Sequence, residues 1–322
     1  MYPRLQAGGA VQITCSDGVV DDTTQFILMH VDVNTRAKVP ARVHKRFVMS
    51  PVGEPIHDLK SVDELIVVVG DVMAAHSAIV KRCGLLHRDL SVNNILFCRD
   101  ADGGVKGMLI DFDNACRITD VQNTEQPSCV GTLPFMSIGN LEMSGVKRTV
   151  LDDWESLIYI LCWIGTLGIS QTDQDCEAVR DLVIQKWQTG SAADVATLKR
   201  QYMHEISYFE YYILDHIQKV QGYEELLKLL LHLHAGLFNS HHASPSARGC
   251  IIPRKFERYM VGIAQPKVPT PFDTQYLDRY VDPTITDSFA RRAEIADILA
   301  DELLAVTSKF RNEALDRIRN TK

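Results

Sequence analysis

Hydrophobic positions at helical spacing define the longest predicted element in the first third of the chain. Between residues 61 and 83, apolar side chains recur every three or four positions, which is the period of an amphipathic helix. Ser61 and Glu64 fit a capping box at the start of this segment, and Gly84 is suited to end it. The sequence therefore predicts a helix over 61–83.

Shorter apolar runs predict strands on both sides of this helix. Before it, residues 23–30 and 46–49 are the best strand candidates. After it, residues 94–98 and 108–112 flank the sequence DADGG at 100–104, whose turn-forming residues are typical of a β-hairpin. The predicted fold class is therefore α+β, with a small sheet and a larger helical part.

The second half of the chain is predicted to be mainly helical. Residues 152–164 are apolar on almost every side after the first turn, which predicts a helix buried within a domain. Prolines recur through 240–285 and favour an extended connection. The terminal helix at 288–319 carries an apolar stripe, which usually packs on its own domain, with contact to a partner helix as the alternative. The stripe consists of Ile295, Leu299, Leu303, Val306 and Phe310. Further helices are predicted at 175–188, 191–206 and 210–237.

Composition narrows the classes of protein and partner. The hydrophobic share of 46% allows a buried core, and the net charge of -7 gives no long-range attraction to nucleic acid or to an anionic membrane. Eight cysteines without a CxxC pair indicate free thiols in a reducing compartment. The sequence shows no signal peptide and no bilayer-spanning run, so we expect an intracellular protein, cytoplasmic or nuclear.

One polar segment carries the residues that chemistry would need. The sequence HRDLSVNN at 87–94 lies between the predicted helix and the predicted hairpin, and the second hairpin strand leads into Asp111. Phosphoryl transfer needs a carboxylate that accepts the proton of the attacking hydroxyl, and oxygen ligands that hold magnesium on the nucleotide phosphates. At this spacing Asp89 fits the base, and Asn94 and Asp111 fit the magnesium ligands.

Several motifs together resemble the fungal-type protein kinase family. They are RFVMSPVGEP, HRDLSVNNILF, GMLIDFD, GTLPFMS and DDWESLIYILCWI, followed by DLVIQKWQTGSAADVATLKRQYM. The resemblance covers residues 2–238, and its motifs are concentrated in 46–165. It implies a protein kinase-like fold with remnant N-lobe strands in 1–50, a helical C-lobe in 51–238 and a C-terminal extension over 239–322.

The resemblance also implies an activity and roles for particular residues. The chain is expected to be an ATP- and magnesium-dependent kinase that phosphorylates Ser or Thr of a protein substrate. Ser91 and Thr132 would assist Asp89, and Arg88 would pair with a phosphorylated residue of the activation segment. Asp153, at the start of the buried helix, would accept backbone N–H groups as an anchor. Adenine contacts are implied at Ser50, Val52 and Leu96.

The sequence departs from kinases in general at four places, and one of them is Ser91, which stands where many Ser/Thr kinases carry a catalytic-loop lysine. It contains no GxGxxG loop and no VAIK-like strand, so a truncated N-lobe is expected. Asp113 replaces the glycine of the DFG motif, and it cannot take left-handed backbone conformations as easily. Gly139 stands where a glutamate usually pairs with a C-lobe arginine, and Glu142 is the candidate substitute.

Two other functions stay open on the sequence alone. A catalytically inactive, kinase-like binding module would explain the missing Gly-rich loop and lysine. A small-molecule kinase of the aminoglycoside phosphotransferase type would also lack the DFG glycine. Arg88 and the GTLPFMS segment favour the protein kinase, in which residues 111–141 would form a peptide-docking surface.

Overall fold

The computed structural model describes short strand pairs between residues 14 and 48 and most of the chain after residue 49. The later described ranges are 50–123, 130–142, 148–168, 183–204, 206–217, 219–238 and 288–321. The chain divides into two compact units, Met1–Gly53 and Glu54–Lys322.

The described residues of the first unit form two short antiparallel strand pairs. Strand β1 (Thr14–Cys15) pairs with β4 (Phe47–Val48), and β2 (Val19–Val20) pairs with β3 (Val43–His44). The strand predicted at 46–49 is confirmed at its centre, whereas the one predicted at 23–30 lies outside the described residues.

The second unit contains a three-stranded antiparallel sheet and a smaller strand pair. The sheet has the order β5 (Glu54–Pro55), β7 (Ile95–Arg99) and β8 (Val105–Leu109), while β6 (Leu85–Leu86) pairs with β9 (Cys116–Arg117). In the turn between β7 and β8, Asp100 Oδ1 accepts the N–H groups of Asp102 at 3.1 Å and Gly104 at 2.6 Å. The predicted hairpin is therefore confirmed.

The second hairpin strand differs from its predicted bounds of 108–112. It starts at Val105, because the DADGG turn brings Val105 opposite Arg99, and it ends at Leu109. Asp111 has a positive φ of 62°, which extended backbone does not allow, so the strand stops before the candidate metal ligand.

Helix α1 (Val62–Cys83) agrees with the predicted helix at 61–83. Ser61 Oγ accepts the N–H of Glu64 at 3.2 Å, and Gly84 ends the helix with a φ of 61°. The Glu64 carboxylate does not complete a capping box but binds both terminal nitrogens of Arg99, at 2.7 and 3.0 Å. This ion pair ties the start of α1 to the end of β7.

The remaining α-helices of the described part follow in order. Helix α4 is buried along nearly its whole length, as predicted for 152–164. In full they are α2 (Ile118–Asn123), α3 (Ile138–Leu141), α4 (Val150–Leu167), α5 (Ala192–Met203), α6 (Ile206–Tyr212), α7 (Tyr223–Phe238) and α8 (Ser288–Thr321).

Two predicted helices are corrected by the structure. The single helix predicted at 210–237 is wrong, because a 3₁₀ turn at Leu214–His216 and Gly222, with a φ of 85°, separate α6 from α7. Of the helix predicted at 175–188, the described part Val183–Gln188 forms a 3₁₀ helix instead. The rest of that prediction lies outside the described residues.

Helices α1, α4, α7 and α8 pack together, and we call them the helix layer. The stripe side chains Leu299, Leu303 and Phe310 of α8 are buried in its core. These three stripe residues therefore pack on their own domain, and contact with a partner helix stays a prediction. None of the helices in the described ranges is both long and apolar enough to cross a membrane.

Candidate active site

The catalytic-loop segment at 87–94 is anchored by one buried carboxylate, Asp153. Its oxygens accept the backbone N–H groups of His87 and Arg88, both at 2.9 Å. Nε2 of His76 on α1 lies 2.7 Å from the same carboxylate. Burial acts to raise the pKa of Asp153, but the hydrogen bonds and charges around it, those of His76 first and those of His87 and Arg88 after it, together leave that pKa lowered.

The anchor role predicted for Asp153 is confirmed, because the backbone N–H groups that it accepts are those of the catalytic loop. The N-terminus of α4 is capped by Thr149 and Asp152, which form a capping box. Arg88 is held by the anchor with a positive φ of 70°, a conformation that costs a non-glycine residue free energy.

The carboxylate of Asp89 is fixed by three hydrogen bonds from the chain beyond the hairpin. Thr132 donates to Oδ1 from its backbone N–H at 2.9 Å and from its hydroxyl at 2.8 Å. Asn114 donates to Oδ2 from Nδ2 at 3.1 Å. Since a carboxylate has about four acceptor sites, one site remains for the hydroxyl of a substrate.

His87 is a packed structural residue. Its Nδ1 accepts the N–H of Asp89 at 3.3 Å, and its Nε2 lies 3.0 Å from the carbonyl oxygen of Ile110. Its ring meets that of Phe112 edge-on at 4.8 Å. Burial lowers the pKa of His87, which favours a neutral ring protonated at Nε2.

The two candidate magnesium ligands have an environment that suits a hard cation. Nδ2 of Asn94 donates to the Asp89 carbonyl at 2.8 Å, so the amide oxygen lies on the other branch of the side chain. Asp111 is exposed, and its Oδ1 accepts the N–H of Asp113 at 3.3 Å. One amide and one carboxylate fit magnesium, which usually keeps several waters and takes its other ligands from phosphates. The described residues contain no cluster of three or more His, Cys, Asp or Glu that could hold a metal ion.

The other predicted site residues lie at several places in the fold. Ser91 is buried directly before the 3₁₀ turn Val92–Asn94. Leu96 lies half-buried on β7 in the second unit. Ser50 and Val52 belong to the first unit, where both are exposed. The structure thus brings Arg88, Ser91, Asn94 and Thr132 into the surroundings of Asp89, and the adenine contacts stay predictions.

Sequence reasoning missed several residues that hold the site. Asn114 gave no signal, because its contact with Asp89 depends on how the chain folds back after the hairpin. Lys199 also gave none, since a lysine in an amphipathic helix normally indicates the exposed face. Glu142 was identified correctly as the substitute for Gly139, because its carboxylate forms an ion pair with Arg200 of α5.

Comparison with known families adds independent information. Residues 11–165 match the family model described as fungal protein kinase. The match confirms the predicted resemblance over this range, which is shorter than the expected 2–238. No curated protein matches the chain.

Proposed function

We propose that this chain, whose residues 11–165 match the family model described as fungal protein kinase, transfers the γ-phosphate of ATP to a Ser or Thr hydroxyl of a protein. The observation that supports this most is the arrangement at Asp89. Its carboxylate is held by Thr132 and Asn114 with one acceptor site left, as a base must be if it is to receive a hydroxyl.

In the proposed reaction Asp89 orients the acceptor hydroxyl and takes its proton as the new oxygen–phosphorus bond forms, while the bond between the γ-phosphorus and the bridging oxygen breaks and ADP leaves. A positioned base of this kind typically contributes about 10²–10⁴-fold to the rate. Asp153 holds the loop backbone beside it, so the position of Asp89 relative to the sheet is set by the buried anchor. The Ser91 hydroxyl can orient a phosphate but cannot neutralise its charge.

Magnesium and ATP complete the proposal. Asn94 and Asp111 would hold the magnesium ion, which when bound would neutralise charge on the transferring phosphate. These roles follow from the family resemblance and from the oxygen donors that the chain offers. The adenine contacts implied for Ser50, Val52 and Leu96 stay predictions from the family resemblance.

A thermal-unfolding shift tests nucleotide binding without requiring a substrate. ATP with magnesium at 100 times its dissociation constant should stabilise the chain by about 2.7 kcal/mol, which is a shift of several degrees. The shift should need magnesium and should be lost in Asp111→Ala. Asp316→Ala, which removes an exposed carboxylate on α8, is the control and should shift like the unmodified chain. A shift that survives Asp111→Ala would contradict the assigned ligand.

Transfer of radiolabelled phosphate from ATP to dephosphorylated casein tests the chemistry. Asp89→Asn keeps the size of the side chain but removes the base, so we expect the rate to fall about 10²-fold or more. The Asp316→Asn control should keep the full rate. Equal rates for the unmodified chain and Asp89→Asn would exclude Asp89 as the base.

A second candidate function is a kinase-like binding module without phosphotransfer. The sequence supports it because it contains neither a GxGxxG loop nor a VAIK-like strand. Nucleotide-dependent stabilisation without any transfer to casein, to free Ser- and Thr-containing peptides or to the chain itself would favour this module over the kinase.

A further inference from the structure

Three polar side chains of helices α4 and α5 form hydrogen bonds with the segment that begins at Thr132. We call residues 132–138 the docking segment. Lys199 Nζ on α5 donates to the Met136 carbonyl at 2.5 Å. On α4, Asp152 accepts the Ser137 hydroxyl at 2.5 Å, and Glu155 accepts the Ile138 N–H at 2.7 Å. Three consecutive residues of the segment, Met136, Ser137 and Ile138, thus each form one hydrogen bond with a side chain of α4 or α5.

Lys199 has an unusual environment for a lysine. Its side chain is 0% exposed, although lysine is almost never fully buried unless it is paired. Its amino group lies 3.7 Å from the centroid of the Tyr159 ring and 5.4 Å from that of Trp187. These two rings pack edge-to-face at 5.1 Å and form the walls of an aromatic cage. The cage directs the amino group toward the Met136 carbonyl.

Glu155 is the acidic counterpart of Lys199 in the same cluster. Besides the Ile138 N–H, its Oε1 accepts the Tyr159 hydroxyl at 2.5 Å. Burial raises the pKa of Glu155 to about 7 and lowers the pKa of Lys199 well below its usual value. Burying both groups costs desolvation free energy, which apolar side chains of equal volume would not cost.

The exposed ion pair nearby cannot do the same work. Arg200 directly follows Lys199 and Glu142 lies four residues after Ile138, and the side chains of Glu142 and Arg200 are 30% and 53% exposed. Exposed pairs contribute little to holding a segment in place. Because Gly139 supplies no carboxylate, the buried groups of α4 and α5 are the ones that can fix the docking segment.

We propose that Lys199 and Glu155 are positioning residues that shape the docking segment to bind the polypeptide flanking the acceptor Ser or Thr. This proposal rests on the proposed kinase function. Thr132, at the other end of the segment, donates twice to Asp89. The same short stretch of chain therefore connects the base to the buried cluster, and a polypeptide lying along it would present its hydroxyl to Asp89.

The first test is Lys199→Met, which keeps the length of the side chain and removes its donor. The control is Lys186→Met, since Lys186 is exposed in the neighbouring 3₁₀ helix. We expect faster amide hydrogen exchange over residues 133–141 in Lys199→Met only. We also expect the KM for dephosphorylated casein to rise on the order of tenfold, with the KM for ATP unchanged. Exchange and casein KM both equal to those of the control would overturn the proposal.

A second pair of variants keeps the test valid if Lys199→Met fails to fold. Glu155→Gln retains an oxygen that can accept the Ile138 N–H and the Tyr159 hydroxyl, whereas Glu155→Leu removes it. We expect Gln to preserve the casein KM and the slow exchange, and Leu to lose both. Equal behaviour of the two variants would contradict a positioning role.

The exchange measurement also separates this proposal from the proposed function. If the unmodified chain transfers no phosphate, the kinase function fails, while exchange over 133–141 still decides whether Lys199 and Glu155 hold the segment. If transfer is robust and the exchange is unaffected by either substitution, the kinase function stands and the positioning role is wrong.

Discussion

The catalytic-loop anchor and the helix layer are built in different ways. In the anchor, one carboxylate, Asp153, binds His76 and two backbone N–H groups that are 65 to 77 residues away in the chain. In the helix layer, α1 and α8 meet through apolar side chains, and the Lys81–Asp301 ion pair lies at the exposed margin of the contact. The first region depends on a few hydrogen bonds, and the second on many small contacts.

The difference teaches where single substitutions should matter. Removing one partner of a buried polar set leaves the others without compensation, so the cost is large. Removing one ion pair at the margin of an apolar contact leaves the packing intact, so the cost is small. The following predictions measure this contrast, starting with the largest expected effect.

The largest loss of stability is expected on substitution of Asp153, the carboxylate of the anchor. Asp153→Ala should lower the free energy of unfolding by about 3–5 kcal/mol, because His76 and two loop N–H groups lose their acceptor inside the fold. Urea denaturation followed by circular dichroism measures it. A loss below about 1 kcal/mol would mean that the anchor is not a buried polar set of the proposed kind.

A buried histidine should make the helix layer sensitive to acid. His234 on α7 stacks on Phe209 at 4.3 Å, and its Nε2 lies 2.6 Å from the Met203 carbonyl. Burial lowers the pKa of His234 from 6.5 to about 4. The unfolded chain therefore binds a proton first, and stability present above pH 6.5 is lost as the pH falls toward about 4.

The expected loss from His234 amounts to at most about 3 kcal/mol, at 1.36 kcal/mol for each pKa unit. His234→Phe keeps an aromatic ring on Phe209 but cannot titrate, so its unfolding free energy should depend less on pH. Urea denaturation at about pH 7 and about pH 4.5 compares the two chains. Parallel losses in both would show that His234 does not carry the acid sensitivity.

A close backbone contact joins the hairpin to the helix layer, where Gly107 of β8 lies against α1. A Cβ at Gly107 would lie 2.2 Å from the Val68 carbonyl oxygen on α1. Gly107→Ala should therefore cost about 1–3 kcal/mol or more, since backbone must move on one side. Gly139→Ala is the control, because its Cβ would meet nothing closer than 3.9 Å. Similar melting temperatures for the two variants would contradict the close approach.

The smallest effect is expected at an exposed ion pair of the helix layer. Lys81 and Asp301 contact each other at 2.6 Å, but their side chains are 57% and 54% exposed. Lys81→Met should change the free energy of unfolding by no more than about 0.5 kcal/mol. Thermal unfolding at low and high salt is the measurement, and a loss above about 1 kcal/mol would show that margin pairs in this layer are not dispensable.

The parts of the fold that follow from local patterns could be predicted from the sequence. Helix α1 was predicted because Ser61 and Gly84 cap an amphipathic stretch, and the hairpin because DADGG forms its turn. Asp89, Asn94 and Asp111 were found because their spacing along the chain is itself the signal. Features that depend on residues close together in the sequence could therefore be predicted.

The rest depends on contacts between distant segments. The bond from Asn114 to Asp89 exists only because the chain returns to the catalytic loop after β9. Lys199 is buried only because Tyr159 and Trp187 enclose it, and nothing in helix α5 alone indicates an aromatic cage. Asp152 caps helix α4 together with Thr149, whereas the neighbouring Asp153 binds the catalytic loop. This division between two adjacent carboxylates likewise depends on where the loop lies in the fold.

The position of α8 has a consequence for synthesis on the ribosome. Arg311 meets Asp71 and lies against Gly70 of α1, although 240 residues separate Arg311 from Asp71. At roughly 5–20 residues per second, translation takes about 12–48 s to cover that distance. During this interval the face of α1 that α8 will cover is already synthesised and has no partner. A nascent chain stalled in this window would offer chaperones an apolar surface that the finished protein does not present.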